Sequence, residues 1–314
     1  MKLRCILRPQ RYVGAVPERI LEVVAADAGQ RLDVLLRRHH PALGRAAIRR
    51  LIEAGQARLC GRTARAGTAV QTGDRIVLRD WPDDARALPD PALGLSVVHQ
   101  DASLLVVDKP AAMDCHPLRP GEVGTLAGAL LAHDPGLAQV GDRREAGLIH
   151  RLDRDTSGLL LVARDARTFA ALRADLAAGR IDKRYLALCP GRPRLPACHR
   201  AELRARGPRV TVRSEPFAGS LPITTELLGL EPHGDHSLVS VRAPFARRHQ
   251  IRAHLAFLGH PIVGDRAYGG DTERLPNRHF LHASELRLTH PESGRPLHLR
   301  SALPPELQVC IGAC

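Results

Sequence analysis

The segment His150–Gly158 combines cations, carboxylates, hydroxyl groups and a glycine directly before an apolar run, Leu159–Ala163. A polar loop at the edge of a strand can present a carboxylate to a ligand while backbone and hydroxyl groups hold it in place. Asp153 has an arginine on each side, and these guanidinium groups can stabilise its ionised form or bind phosphate. On composition alone, the segment fits a reactive carboxylate and an ordinary polar turn with local ion pairs equally well.

A second candidate segment is Ala246–Leu255, whose spacing predicts a helix anchored by Ile251 and Leu255. Arg248 and Arg252 lie four positions apart near the start of this helix, on neighbouring parts of its surface. Cations at that end interact unfavourably with the helix dipole, and binding to an anion or a buried carboxylate would offset this cost. The alternative is a basic helix exposed to solvent.

Lysine is scarce in this chain, because only Lys2, Lys109 and Lys183 occur among the 46 basic residues. Lys109 follows a predicted strand in the sequence Asp-Lys-Pro, and Lys183 enters another strand two residues before Tyr185. A compact ammonium in place of a forked guanidinium suggests a specific requirement at both positions. Chance placement is the alternative.

The elements around these segments predict the fold of residues 95–310. Helices are expected over 124–133, 165–178 and 248–258. Apolar or alternating runs predict strands over 95–100, 103–108, 158–163, 185–188, 223–228 and 237–242. Many strands with few crossover helices indicate an α+β fold with a mixed, mainly antiparallel sheet.

Residues 81–94 contain three prolines and no sustained apolar period, which predicts an extended linker. The linker would separate residues 95–310 from a small α/β domain at 17–80, in which two amphipathic helices are expected. The arginines of these helices would contact RNA or, alternatively, would only solvate the helix surface. The four candidates for RNA contact are Arg31, Arg45, Arg49 and Arg50.

Charge and composition narrow the choice of partners and cofactors. The net charge of +13 and the pI near 10.4 favour a polyanion, with RNA or DNA first. The seven cysteines form no Cys-x-x-Cys pair, and neither a P-loop nor a dinucleotide fingerprint occurs, so we expect no metal and no cofactor. No apolar run reaches the roughly 18 residues of a membrane helix, and no signal peptide is recognised. We therefore expect a cytoplasmic protein that does not bind membranes. We also expect a monomer, although no feature of the sequence indicates the oligomeric state.

Residues 30–79 resemble the S-four-like RNA-binding domain, which is named after a small-subunit ribosomal protein. The resemblance rests on Arg31-Leu-Asp, on Arg45 with Arg49-Arg-Leu-Ile-Glu-Ala-Gly, and on Gly73-Asp-Arg-Ile. Gly44 stands where that family usually has serine, which weakens a helix cap. The resemblance implies that this domain binds RNA.

The segment His150–Gly158 resembles the signature of pseudouridine synthases of the RluA type. Four further segments support the resemblance in the expected order: 104–117, 183–187, 247–265 and 280–283. The resemblance spans about 95–305 and implies the pseudouridine synthase fold. The chain departs from the family at Ala112 and Ala246, where glycine is usual, and at Arg248, where threonine or serine is usual.

The resemblance implies a role for each matching residue. Asp153 corresponds to the catalytic aspartate, Tyr185 to the active-site tyrosine that contacts the base and assists proton removal from C5, and Arg247 to the arginine that pairs with the aspartate. Further RNA contacts are expected from Lys109, His150, Arg151, Thr156, Lys183, Gln250 and Arg252.

The expected function is isomerisation of uridine to pseudouridine in structured RNA, with large-subunit (23S) ribosomal RNA as the first candidate substrate. The alternatives are a tRNA-modifying enzyme of the same family and a non-catalytic RNA-binding or ribosome-assembly protein. A hydrolase using Asp153 and Asp155 is a third, but the charge of +13 and the scarcity of tryptophan and tyrosine fit carbohydrate poorly. Asp153 would either attack C1′ of the ribose or abstract a ribose proton to give a glycal, and both routes stay open.

Overall fold

The computed structural model describes residues 18–40, 43–79, 86–119, 121–193, 198–206, 209–245 and 247–312. The described residues form two compact units. The smaller unit extends up to residue 86 and includes 118–119, and the larger unit contains the remaining residues. Residue 17, the stretch 80–85 with the start of the predicted linker 81–94, and Ala246 lie outside the described part of the chain.

The smaller unit packs two helices on one sheet. Its elements are β1 (Glu18–Glu22), a 3-10 helix (Ala25–Asp27), α1 (Leu32–His39), α2 (Arg45–Glu53), β2 (Ala57–Leu59), β3 (Arg62–Thr63) and β4 (Arg75–Arg79). The strands pair antiparallel in the order β1-β4-β2-β3. Leu32, Leu35 and Leu36 of α1 share a core with Ile48 and Ile52 of α2, as the apolar periodicity predicts.

The larger unit is built around one large sheet. Its strands are β5 (Val97–Gln100), β6 (Leu104–Lys109), β7 (Ser157–Ala163), β8 (Asp182–Pro190), β9 (Cys198–Arg206), β10 (Arg209–Arg213), β11 (Leu221–His233), β12 (His236–Arg242), β13 (Leu281–Thr289) and β14 (Pro296–Arg300). They follow the order β10-β9-β11-β12-β8-β13-β7-β6-β5, and β14 pairs with β13. Among the described strands, β13 and β7 form the one parallel pair. The predicted α+β class with a mixed, mainly antiparallel sheet is confirmed.

The larger unit also contains four α-helices and one 3-10 helix among its described residues. They are α3 (Leu126–His133), a 3-10 helix (Pro135–Gln139), α4 (Ala166–Ala177), α5 (Gln250–Phe257) and α6 (Pro305–Gly312). Thr125 and Asp165 cap the starts of α3 and α4, because their side chains accept hydrogen bonds from the backbone N–H groups three residues later. None of the helices in the described ranges is long and apolar enough to cross a membrane.

The register of three strands brings the candidate site together. Ala283 in β13 lies opposite Gly158 in β7 and also opposite Tyr185 in β8. Gly158 has a φ of 115°, and a Cβ there would lie 2.3 Å from the carbonyl oxygen of Ala283, so the close approach requires glycine. The strand β13 therefore lies between Tyr185 and the end of the segment His150–Gly158, and it brings both to the same part of the sheet. This strand was not predicted from the sequence.

Candidate active site

Asp153 lies in the turn that precedes β7, and contacts on both sides hold this turn. The carbonyl oxygen of Asp153 accepts a hydrogen bond from the Thr156 N–H at 3.0 Å. The Thr156 hydroxyl lies 2.7 Å from Nε2 of His279, and Sγ of Cys115 lies 3.3 Å from both the backbone nitrogen and the carbonyl oxygen of Leu152. The Asp153 side chain is 18% exposed. A carboxylate presented from a braced turn can be held within the narrow tolerances of catalysis.

Lys109, at the end of β6, also holds this turn. Its ammonium group is fully buried and donates to the carbonyl oxygens of Pro110, Met113 and Arg154 at 2.7, 2.8 and 3.0 Å. Burial lowers the pKa of Lys109 to about 8. Because the three acceptors match the three donors of an ammonium, none is left for a ligand. The RNA contact predicted for Lys109 is therefore wrong, and its role is to connect β6 to the Asp153 turn.

Arg252 in α5 pairs with Asp153. Its Nη1 donates to Oδ2 of Asp153 at 2.8 Å, and its Nε and Nη2 donate to the two oxygens of Asp265 at 2.7 and 2.8 Å. The side chains of Arg252 and Asp265 are 9% and 0% exposed. Burial opposes the charge of Arg252, but the hydrogen bonds and charges of Asp265 and then Asp153 outweigh it and raise its pKa above the usual value. The planar guanidinium thus bridges two carboxylates, which a single ammonium is poorly shaped to do.

Arg247, which the family resemblance assigns to this pairing, lies elsewhere in the site. Its side chain is exposed and lines the pocket beside Asp153, and no carboxylate of the described residues pairs with it. Its backbone N–H donates to Oε1 of Gln250 at 3.3 Å, and Nε2 of Gln250 donates to the carbonyl oxygen of Thr224 at 2.8 Å. The ion pair expected of Arg247 is instead formed by Arg252. Arg252 was predicted as an RNA contact, and it lines the same pocket.

Tyr185 faces the same pocket from β8 and is 6% exposed. Burial, and to a smaller extent the charge of Asp153, raises the pKa of Tyr185 well above its usual value. The phenol therefore keeps its proton near neutral pH and offers a hydrogen-bond donor. A role as a base would first require the loss of that proton.

The pocket around Asp153 is small. Its volume is about 40 Å³, and its lining includes Arg151, Asp153, Tyr185, Arg247, His249 and Arg252. This space holds no more than a few water molecules. The pocket is partly open to solvent, so a nucleobase at Asp153 would lie partly outside it in this arrangement of the side chains.

Other predicted contact residues also lie at this pocket. Arg151 is exposed and free to meet a ligand at the pocket surface. Thr156 and Gln250 are buried and line the pocket, as does Arg252. These three residues can therefore meet only a nucleotide that has entered it.

His150 and Lys183 are buried outside this lining. Nε2 of His150 accepts a hydrogen bond from the Leu161 N–H at 3.3 Å. Burial, followed by the nearby charge of Lys183, lowers the pKa of His150 well below its usual value. Burial lowers the pKa of Lys183 to about 7. The predicted RNA contacts of His150 and Lys183 are therefore wrong, because neither side chain is accessible.

In the smaller unit, the candidate arginines Arg31, Arg45, Arg49 and Arg50 are exposed. The buried carboxylate of Asp33 accepts hydrogen bonds from Nε and Nη2 of Arg31 at 3.0 and 3.1 Å and from Nε of Arg49 at 3.3 Å. A pocket of about 240 Å³ beside Asp33 is lined by Arg37, Arg38 and Arg45. Asp33 thus orients Arg31 and Arg49, while three other arginines and Asp33 itself line a pocket that can receive an anion.

Three further residues of the larger unit lie at the site and were not predicted from the sequence. They are His249, Asp265 and Tyr268, which contact Asp153 or Arg252. Two weak signals existed: Asp265 ends the segment 247–265 that carries the family resemblance, and Tyr268 is one of three tyrosines.

Known proteins resemble this chain over most of its length. The model for RNA pseudouridylate synthase matches residues 103–257. An uncharacterized RNA pseudouridine synthase of Chloroflexus aurantiacus is 40% identical over 295 residues, which cover 94% of this chain and 93% of that protein. The ribosomal large subunit pseudouridine synthase D of Xanthomonas campestris is 33% identical over 300 residues, covering 91% and 89%. The solved structure of human RNA pseudouridylate synthase domain containing 1 matches with a TM-score of 0.54 and 28% identity, covering 71% of this chain and 89% of that one.

Proposed function

The chain belongs to the RNA pseudouridine synthase family and is an isomerase of that class, and we propose that it modifies large-subunit ribosomal RNA with Asp153 as the catalytic group. The predicted resemblance to the RluA type is confirmed at the level of the family. We further propose that the smaller unit is the RNA-binding module that its sequence resembles. Cytoplasmic location and a monomeric state stay predictions.

The observation that carries the catalytic assignment is the position of Asp153. It is the one carboxylate among the described residues that lines the pocket of the larger unit. Arg252 holds it at 2.8 Å, and Asp265 and Tyr268 hold Arg252 in turn. A buried guanidinium offsets the cost of keeping a carboxylate ionised in a partly dry pocket. Such a group is ready to react with a ribose that enters.

The reaction requires little else from the protein. The N1–C1′ bond breaks, the freed uracil turns, and C5 joins C1′, while C5 loses a proton and N1 gains one. No electrons are exchanged with an outside partner. Asp153 can attack C1′ as a nucleophile or remove a ribose proton as a base. In both routes, Tyr185 serves as a protonated donor that orients the base in the pocket.

The target uridine must leave its stack before it can reach Asp153, at a cost of a few kcal/mol. Electrostatic binding of the RNA backbone can supply that energy. The net charge of +13 and the arginines beside Asp33 supply the necessary cations. The relative from Xanthomonas campestris is named for large-subunit ribosomal RNA, which supports the same substrate class here.

The test is a pseudouridine map of ribosomal RNA and tRNA from cells that lack this protein. We expect one or more pseudouridines of 23S RNA to disappear and to return when the wild-type chain is supplied. The variant Asp153→Asn should not restore them. Loss of a tRNA pseudouridine with unchanged ribosomal RNA would contradict the proposed substrate, and restoration by the variant would contradict the catalytic assignment.

A further inference from the structure

His249 has an unusual backbone conformation beside Asp153. It is the residue before α5, and its φ of 54° and ψ of 18° lie in the left-handed region. This conformation costs an L-residue about 1–2 kcal/mol, so other contacts must offset the strain when the residue is not glycine. The conformation places Nδ1 of His249 2.9 Å from the Tyr268 hydroxyl and Nε2 3.9 Å from Oδ2 of Asp153.

The hydrogen bonds of Tyr268 indicate which imidazole nitrogen carries the proton. A tyrosine hydroxyl has one proton to donate and also accepts. The Val210 N–H in β10 donates to this oxygen at 3.0 Å. Burial raises the pKa of Tyr268, so the hydroxyl keeps its own proton, and Nδ1 of His249 is placed to accept it. An imidazole that accepts at Nδ1 carries its proton at Nε2, on the side of Asp153.

We propose that His249 is a positioning residue: a neutral imidazole, locked by Tyr268 in the Nε2–H form, that directs its N–H towards Oδ2 of Asp153. This inference rests on the proposed function, since it concerns the geometry of the catalytic carboxylate. Arg252 donates to the same oxygen. With both donors on Oδ2, Oδ1 is the oxygen that meets the ribose.

The charges around His249 are consistent with a neutral ring. Burial lowers its pKa, and the nearby Arg252 and Arg248 act in the same direction, while Asp153 and Asp265 oppose them. A neutral donor can orient a carboxylate without transferring a proton to it. The distance of 3.9 Å is longer than a hydrogen bond, and such contacts often tighten only when substrate is bound.

Two amide variants separate the two nitrogens of the ring. In His249→Gln the side-chain amide nitrogen takes the approximate place of Nε2 and can still donate towards Asp153. In His249→Asn the shorter side chain reaches only the place of Nδ1 and the Tyr268 hydroxyl. Asparagine suits the left-handed conformation better than glutamine, so backbone fit alone would favour His249→Asn.

We expect kcat of the full chain on its RNA to fall no more than about fivefold in His249→Gln. In His249→Asn it should fall about 10- to 100-fold, because one hydrogen bond to a charged group is lost. KM should change little in both variants. Equal activities, or a more active His249→Asn, would overturn the inference. The acid limb of the pH profile of kcat should be the same in wild type and His249→Gln. Its disappearance in His249→Gln would show that His249 titrates during turnover, which contradicts a neutral donor.

Nitrogen-15 NMR of the imidazoles provides a test that does not depend on activity. The chain has 16 histidines, and the signal missing in His249→Gln identifies the ring. At neutral pH we expect the pattern of a neutral Nε2–H ring, and Tyr268→Phe should release it into a mixture of the two neutral forms. An Nδ1–H or doubly protonated ring in the wild type would overturn the inference. A wild-type chain without turnover on RNA would instead contradict the proposed function and leave the NMR result standing.

Discussion

The pairing of Asp153 with Arg252 predicts that replacing Arg252 affects stability and rate far more than replacing the exposed Arg247. Arg252 makes three hydrogen bonds of 2.7 to 2.8 Å to two carboxylates, and its side chain is 9% exposed. Lysine in its place keeps the charge but cannot span Asp153 and Asp265 with one ammonium. Hydrogen bonds to charged groups contribute about 1.5–3 kcal/mol each. Loss of at least one of them should lower the free energy of unfolding of Arg252→Lys by about 2–3 kcal/mol.

The same substitution should reduce the rate of the chemical step. A displacement of about 1 Å at the reacting group costs on the order of 100-fold in rate, so we expect about that loss in single-turnover rate at saturating RNA. Arg247→Lys is the matched control, because Arg247 is exposed and no carboxylate in the described ranges pairs with it. Its free energy of unfolding should stay within about 0.5 kcal/mol of the wild type.

Urea unfolding and release of tritium from RNA labelled at C5 of uridine measure both quantities. Wild-type stability of Arg252→Lys together with a rate within threefold of the wild type would contradict the role of Arg252 in holding Asp153. An equal loss of stability in Arg247→Lys and Arg252→Lys would also contradict it. A loss of rate in Arg247→Lys without a loss of stability would assign Arg247 to substrate contact and leave the Arg252 pairing intact.

Three further predictions concern other parts of the chain. Asp33→Asn removes a negative charge but should still weaken RNA binding about three- to tenfold in a filter-binding titration, because Asp33 orients two arginines. The control Glu53→Gln makes the same charge change on α2 and should not weaken binding. Lys183→Met should raise the free energy of unfolding near pH 7 by up to about 4 kcal/mol. The pKa of Lys183 is about 7 in the folded chain and 10.5 when unfolded, so between these pH values the folded wild type binds fewer protons than the unfolded chain and its stability rises with pH. The stability difference between Lys183→Met and the wild type should therefore disappear above pH 10.5. Urea unfolding at several pH values tests this. Ala112→Gly should raise the free energy of unfolding by about 0.5–1 kcal/mol, because Ala112 has a φ of 60°; equal or lower stability in urea would contradict this.

Local patterns in the sequence predicted much of the fold. The apolar runs of β6 and β7 are buried strands, and α4 and α5 lie within the predicted helical ranges. The strand β13 (Leu281–Thr289) was missed although Glu285 and Arg287 alternate with the buried Leu286 and Leu288, as in a half-buried strand. Its place between β7 and β8 depends on pairings with residues about a hundred positions away.

The candidate site was predicted in part for the same reason. The segment around Asp153 could be recognised as a unit, but its partner Arg252 is 99 positions away and lies in a segment with several arginines. The scarcity of lysine indicated correctly that Lys109 is special and did not reveal why. A buried ammonium that connects three carbonyl groups cannot be distinguished from an RNA contact without the fold.

The catalytic role of Asp153 is tested by comparing wild type and Asp153→Asn of the full chain on RNA labelled with tritium at C5 of uridine. The amide can still accept a hydrogen bond from Arg252, so the fold and the RNA affinity should be kept, with a Kd within about threefold of the wild type. We expect tritium release by the wild type and none by the variant, because the amide can neither attack C1′ nor take a ribose proton. Release by Asp153→Asn at the wild-type rate would contradict the claim that Asp153 is the catalytic group.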